Sequence, residues 1–293
     1  MNFRNGYNSD FDPFIKVQNP VTSLHYRRET ALMDLELQGK TALITGASKG
    51  IGKGVALTMA AEGCNLHLVS RTKEDLDALA DEIAGLHNVA VRTHAKDLST
   101  SKSVSELLLE IDTPDILINN AGAIPAGTLH AIDEERWREA WDLKVFGYIN
   151  MCRAFYAAMK TEGCGVIINV TGLAADRTDA DYIAGTTGNA GLNAFTRTLG
   201  SRSLKDGIRV LSVSPGAVET ERLSGLMQTR AEAEYGDAGK WQSYPSKLPL
   251  GRAASVQECA NVVVFMASER AGYMSGTVVT VDGGHGANNG SFT

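Results

Sequence analysis

The chain has 293 residues, 43% hydrophobic and 21% charged, with 30 glycines and 7 prolines, a profile of one large globular domain or two small ones that excludes disordered, collagenous and coiled-coil proteins. Its 28 Lys and Arg against 34 Asp and Glu give a formal charge of −6, with no single-sign block to grip nucleic acid or an anionic membrane surface. No apolar run approaches the roughly 20 residues that cross a bilayer, and Cys64, Cys152, Cys164 and Cys259, which lack any metal-type spacing, read as small core residues of a cytoplasmic protein.

Residues 1–32 show neither helical nor strand periodicity and no apolar core of a secretory signal. They read as a flexible extension upstream of the internal Met33, leaving 33–293 as one domain. A rival reading makes them an oligomer-clamping arm carried by Phe3, Phe11, Phe14 and Tyr26.

From residue 40 short β-branched runs alternate with helical stretches. Strands are predicted at 41–45, 65–70, 89–93, 116–119, 166–170, 208–212 and 278–281, and helices at 51–61, 73–84, 101–111, 137–160, 188–204 and 256–267. Seven strands in alternation with helices predict an α/β fold, a doubly wound parallel sheet of the Rossmann type.

The first strand runs into Gly46-Ala47-Ser48-Lys49-Gly50-Ile51-Gly52, which opens a helix. Glycines there allow a tight turn and close backbone approach, and the helix N-terminus offers free N–H groups to a pyrophosphate, so this is a dinucleotide site. The second strand ends in Arg71, where an NAD enzyme often places an acid on the adenosine 2′-hydroxyl. Arg71 and Lys49 together favour the 2′-phosphate of NADP over NAD. The six histidines show no ligand spacing, and no metal is expected.

Taken with Asp97-Leu98, Asn119-Asn120-Ala121-Gly122, Ser214-Pro215-Gly216, Thr220 and Asp282-Gly283-Gly284, the chain resembles the short-chain dehydrogenase/reductase family over about residues 35–285. The resemblance implies that Asp97 and Leu98 frame the adenine, that Asn120, Ala121 and Gly122 line the central strand and cofactor, and that Pro215, Gly216 and Thr220 hold the nicotinamide amide.

The family's catalytic Asn lies about 24 residues past Asn120, which lands on Lys144, and its Ser, Tyr and Lys follow at intervals of 28, 13 and 4 residues, on Gly172, Gly185 and Asn189. Another 26 residues reach Pro215, so the register holds from both sides and all four positions are substituted. In the family the Tyr protonates the carbonyl oxygen, the Lys lowers its pKa and holds the ribose, the Ser bonds the substrate oxygen and the Asn supports a proton-relaying water. A positioned general acid contributes on the order of 100- to 10,000-fold, so ordinary ketone reduction by that route is crippled.

Two function classes follow. In one, an oxidoreductase acts with a noncanonical site: Lys144 and Asn189 exchange the family's Asn and Lys, and Thr171 or Tyr182 brings a replacement hydroxyl. Their bland readings are a solvent-facing Lys, a polar helix residue, a strand-end Thr and a packed loop Tyr. Gly172 and Gly185 are expected to widen the pocket, favouring an activated C=C bond or a substrate with its own proton donor. In the other, the chain is a catalytically inactive NADP-binding regulatory or partner protein.

The stretch from Thr220 to Val256 is the expected cover of the small-molecule substrate pocket, with Leu223, Leu226, Met227, Tyr235, Trp241, Tyr244 and Leu248. Its Arg222, Arg230, Lys240, Lys247 and Arg252 stand among acids and do not by themselves indicate an anionic substrate; a mixed-charge amphipathic helix pair is the alternative. The resemblance implies pairing of subunits through the helices at 137–160 and 188–204, as a homotetramer or homodimer.

Overall fold

Seven β-rich segments pair side by side: β1 (Thr41–Thr45), β2 (Asn65–Ser70), β3 (Val91–Ala95), β4 (Ile116–Asn119), β5 (Gly165–Val170), β6 (Ile208–Pro215) and β7 (Val278–Val281). All six pairings are parallel, in the order β3-β2-β1-β4-β5-β6-β7. The order reverses between β1 and β4, and ligands of such sheets bind in the crevice at that switch point. The computed structural model describes residues 33–287, and the compact unit they form starts at Leu35. The extension or arm read at 1–32 lies outside the described residues.

Eight helices among the described residues cover the sheet: α1 (Gly50–Ala61), α2 (Lys73–Leu86), α3 (Ser101–Glu110), α4 (Glu134–Trp141), α5 (Gly147–Glu162), α6 (Ile183–Ser203), α7 (Glu221–Tyr235) and α8 (Val256–Ala267). One apolar layer joins Ile44, Val55, Met59, Leu66, Ile118 and Ile168 to Val263 of α8. The opposite layer joins Leu43, Leu107, Leu117 and Ile167 to Met151 and Phe155 of α5. Buried on both faces, the central strands are continuous apolar runs, which makes them legible in the sequence.

Three differences from the predicted elements matter. The long helix expected at 137–160 starts at Glu134, capped by Asp133, and is interrupted by a π-turn at Asp142–Phe146 that holds Lys144. α6 starts five residues before the predicted 188, because Gly185, Gly188 and Gly191 depress local helix propensity while tertiary packing holds the turn. The cover is one helix, α7, capped by the Thr220 hydroxyl, followed by short 3₁₀ turns rather than a helix pair. Cys164 departs from the core reading and is exposed in the turn entering β5, whereas Cys64, Cys152 and Cys259 are buried.

Two buried cations are handled without carboxylates. Arg209 of β6 donates to the carbonyls of Met266, Ala267, Ser268 and Ala271 at 2.7, 3.0, 2.9 and 3.3 Å, satisfying the acceptors left at the end of α8. The second cation is Lys144 of the π-turn. On the far side of the sheet, His67 of β2 and His94 of β3 stack, with Nδ1 and Nε2 2.9 Å apart. Burial, then the neighbouring His94 and Arg92, push His67 down to about 4.

A histidine whose folded pKa is depressed takes up its proton more readily in the unfolded chain, so its neutral-form stability is lost as pH falls from about 6.5 towards 4. Urea denaturation between pH 8 and 4 should show a stability loss approaching about 1.4 kcal/mol per pH unit from this group. In His67→Phe that acid slope should be shallower, whatever its stability at pH 8.

Candidate functional site

The turn after β1 is built for close approach. Gly46 has φ 63°, which a side chain rarely adopts, and a Cβ there would meet Ala121 Cα at 2.8 Å. The turn is tied to the end of β4 by Thr45 Oγ1, which accepts from Asn120 N at 2.9 Å and Ala121 N at 3.0 Å, and by Asn120 Nδ2, which donates to Gly46 O at 3.0 Å. α1 then begins at Gly50 with no side-chain cap and no acid in its first turn. Free N–H groups and an uncompensated dipole at a helix start make an anion site. Ser48 is half-buried beside it, and Ile51 packs against the core.

The remaining cofactor candidates converge on the same sheet edge. Arg71 follows β2, exposed and without an ion-pair partner among the described residues, whereas Lys49 is drawn 3.7 Å from Asp75. Asp97 turns its carboxylate to Ser99 N at 3.0 Å, while Leu98 is buried. Pro215 ends β6, Gly216 N donates to Val281 O at 2.9 Å, and the Thr220 methyl lies where a Cβ on Gly50 would meet it at 3.2 Å. The phosphate turn and the segment expected at the nicotinamide are thus in contact.

Beside that edge a closed circuit of contacts joins Lys144, Gly172, Gly185 and Asn189. The π-turn swings the Lys144 stem across Gly122, where any Cβ would overlap it. Lys144 Nζ donates to Val170 O at 2.6 Å and to Tyr148 Oη at 2.8 Å, and Tyr148 Oη also donates to Val170 O at 3.0 Å. Two residues on, Gly172 faces the Asn189 amide, 3.3 Å from a would-be Cβ. Asn189 Nδ2 donates to Gly185 O at 2.8 Å, and a Cβ on Gly185 would overlap the Tyr182 ring. Arg222 of α7 closes the circuit: its Nη2 donates to Tyr182 Oη at 2.9 Å and to Ile124 O at 2.8 Å, two residues from Gly122.

Tyr182 is held from several sides. Its backbone bridges Gly127, and its ring packs with Ile124, Ile132, Trp137, Trp141 and Ala184. Trp141 Nε1 donates to Ala184 O at 3.0 Å and pins the start of α6. Because Tyr182 Oη accepts from Arg222, its own proton remains without an acceptor among the described residues. Asn189 Oδ1 is likewise buried without a partner. Lys144 is 8% exposed; burial first, and the Arg222 charge second, bring its pKa down to about 7. Burial raises Tyr148 well above its usual range.

Three expectations need correction. The pocket is not widened by Gly172 and Gly185, since the Asn189 amide lies against the first and the Tyr182 ring fills the second. The Thr171 hydroxyl is not aimed at the site: it is buried, donating to Asn193 Oδ1 at 2.8 Å and lying 2.9 Å from Ser212 Oγ. The ammonium of Lys144 is not on solvent, being bonded to Val170 and Tyr148. Lys144 and Asn189 share no hydrogen bond among the described residues. Sequence reasoning missed Tyr148, whose i,i+4 spacing from Lys144 was the available signal, and gave Arg222 no role.

A parallel sheet switching at an uncapped, glycine-lined turn defines a dinucleotide-binding α/β protein. A family profile described as enoyl-(acyl carrier protein) reductase matches residues 46–286. The 3-oxoacyl-[acyl-carrier-protein] reductase FabG of Aquifex aeolicus is 30% identical over 256 residues, covering 86% of this chain and 99% of that protein. FabG of Escherichia coli is 32% identical, covering 85% and 98%. The structure of L-sorbose reductase from Gluconobacter frateurii, complexed with NADPH and L-sorbose, superposes with a TM-score of 0.79 at 32% identity, covering 86% of this chain and 98% of its own. The chain belongs to the short-chain dehydrogenase/reductase family.

The Tyr182 placement depends on the missing Cβ at Gly185. Gly185→Ala should expel the ring and cost about 1–3 kcal/mol in urea denaturation, as overpacking does. Gly191→Ala, which meets nothing within 4 Å on the same helix, should cost nothing or stabilise.

Proposed function

We propose that the chain is an NADP(H)-dependent oxidoreductase acting on a small organic carbonyl or activated C=C substrate, with proton delivery that does not use the family's usual Tyr and Lys. The observation that carries this reading is Tyr182: its ring occupies the space of Gly185, and its hydroxyl accepts from Arg222 while keeping its own proton available. A hydroxyl whose oxygen is fixed by a donor and whose own proton is uncommitted is placed to donate to a substrate oxygen.

The cofactor's expected holders fit it. The uncapped start of α1 and the glycines at 46, 50 and 52 suit the pyrophosphate, and Arg71, uncommitted and basic, suits a 2′-phosphate better than a bare ribose. The NADPH complex of L-sorbose reductase supports the same choice. When bound, the dinucleotide supplies or accepts the hydride. Asp97, Leu98, Asn120, Ala121, Gly122, Pro215, Gly216 and Thr220 position it along the sheet edge. In reduction Tyr182 gives its proton to the substrate oxygen, Arg222 steadies the resulting phenolate, and the proton is recovered from water. The Asn189 carbonyl oxygen accepts a hydroxyl at the site, and buried Lys144 sets the local charge.

The named relatives are reductases, and no observation favours the rival reading as an inactive regulator. No described helix is long and apolar enough to cross a membrane. Cytoplasmic residence and assembly as a homodimer or homotetramer belong to the same proposal, the latter supported by the half-exposed Phe146 at the π-turn.

Tyr182→Phe should lower kcat by about 100-fold or more while the NADPH dissociation constant stays within about twofold; unchanged turnover would remove Tyr182 as the acid. Arg71→Ala should weaken NADPH about tenfold and NADH little, measured by nucleotide fluorescence titration, because only the former carries the 2′-phosphate.

A further inference from the structure

Charges around the site are distributed unevenly. At the cover, Arg230 meets Asp179 at 3.5 Å and Arg252 meets Glu258 at 2.8 Å, while Lys240 and Lys247 lie over the rings of Tyr235 and Tyr244. Lys144 and Arg222 do neither of these with an acid or a cover tyrosine ring: among the described residues Lys144 Nζ is bonded to the Tyr148 hydroxyl and the Val170 carbonyl and lies over the Tyr148 ring, and Arg222 is bonded to the Tyr182 hydroxyl and the Ile124 carbonyl. Neither takes part in a described ion pair. Asp179, an acid of the neighbouring loop, is engaged by Arg230.

A buried ammonium without a carboxylate either sheds its proton or waits for an anion. In the free protein burial and Arg222 bring Lys144 down to about 7, so near neutral pH it is divided between the two forms. Arriving negative charge would reverse both effects, restoring the proton to Lys144 and giving Arg222 a bidentate partner that its planar fork suits.

We propose that the site where Arg222 meets Tyr182, with Lys144 buried within reach of the Arg222 charge, takes an oxo acid, a substrate whose reducible carbonyl is accompanied by a carboxylate that Arg222 receives and Lys144 counterbalances. The proposal rests on reading this site as the substrate site, and it deepens that reading by fixing the charge of the substrate. The titratable groups acting on Lys144 are Tyr148 from its own helix and Arg222 from α7, with Tyr182 reached through Arg222; β5 presents only the Val170 carbonyl.

The test uses the full chain, with and without NADP⁺, and isothermal titration with acetoacetate and its neutral isostere acetoacetamide. Acetoacetate should bind about tenfold or more tightly than the amide at pH 6.5. Its affinity should fall as pH rises from 6 to 8, because Lys144 loses its proton, while the amide's stays flat. Arg222→Gln should abolish the discrimination and Arg222→Lys should restore part of it. Lys144→Met, uncharged and of similar length, should remove the pH dependence and leave the Arg222-dependent preference. Equal affinities, binding of neither compound, or a preference that survives Arg222→Gln would overturn the proposal. The functional reading fails separately: absent NADP⁺ binding, or full turnover in Tyr182→Phe, would refute it while leaving the carboxylate preference intact.

Discussion

The dehydration of a single ammonium organises the substrate half of this protein. Lys144 sits in a π-turn, a local widening of the helix that is common at functional sites. That turn directs its stem over Gly122 and its nitrogen to the end of β5, where one carbonyl, Val170 O, accepts from both Lys144 and Tyr148. Taking a lysine out of water is costly unless it is paired or neutral. The neighbouring hydroxyl and carbonyl bond it without charge, and burial with the Arg222 charge brings its pKa down to about 7.

Around that nitrogen, space is exchanged between residues rather than opened. At Gly185 the chain forgoes a side chain, and the ring of Tyr182, three residues earlier, takes the volume. The hydroxyl therefore arrives from a different backbone position, braced by a cluster of Trp137, Trp141, Ile124 and Ile132 and oriented by a guanidinium from the covering helix. Rigid supports of this kind are what a proton donor needs. Because Arg222 lies on α7, the position of the covering helix and that of the Tyr182 hydroxyl are linked by one hydrogen bond.

The cofactor half is governed by backbone rather than side-chain chemistry. α3, α4, α7 and α8 each have a side-chain cap at their N-terminus, whereas α1, α2, α5 and α6 have none, and of these α1 is the one that opens from the glycine turn at the switch point. A helix start left without a partner next to a turn that only glycine can make is a feature of binding, not of stability. Thr45 and Asn120 lock that turn to β4, so the site is held by the same hydrogen bonds that align the central strands.

The sequence by itself determined the sheet and the glycine turn, because these depend on local rules: continuous apolar runs for doubly covered strands, and glycines with fixed spacing before a helix. It also located Lys144, Gly172, Gly185 and Asn189, though not what they do. Only the tertiary structure decided that Gly185 makes room for Tyr182, that Thr171 turns inward to Asn193 and Ser212, and that Lys144 is buried beside Tyr148. Arg222 stands 40 residues from Tyr182 and 98 from Ile124. No periodicity links positions so far apart; their meeting is set by how α7 folds back over the sheet edge, a matter of packing that no local pattern encodes.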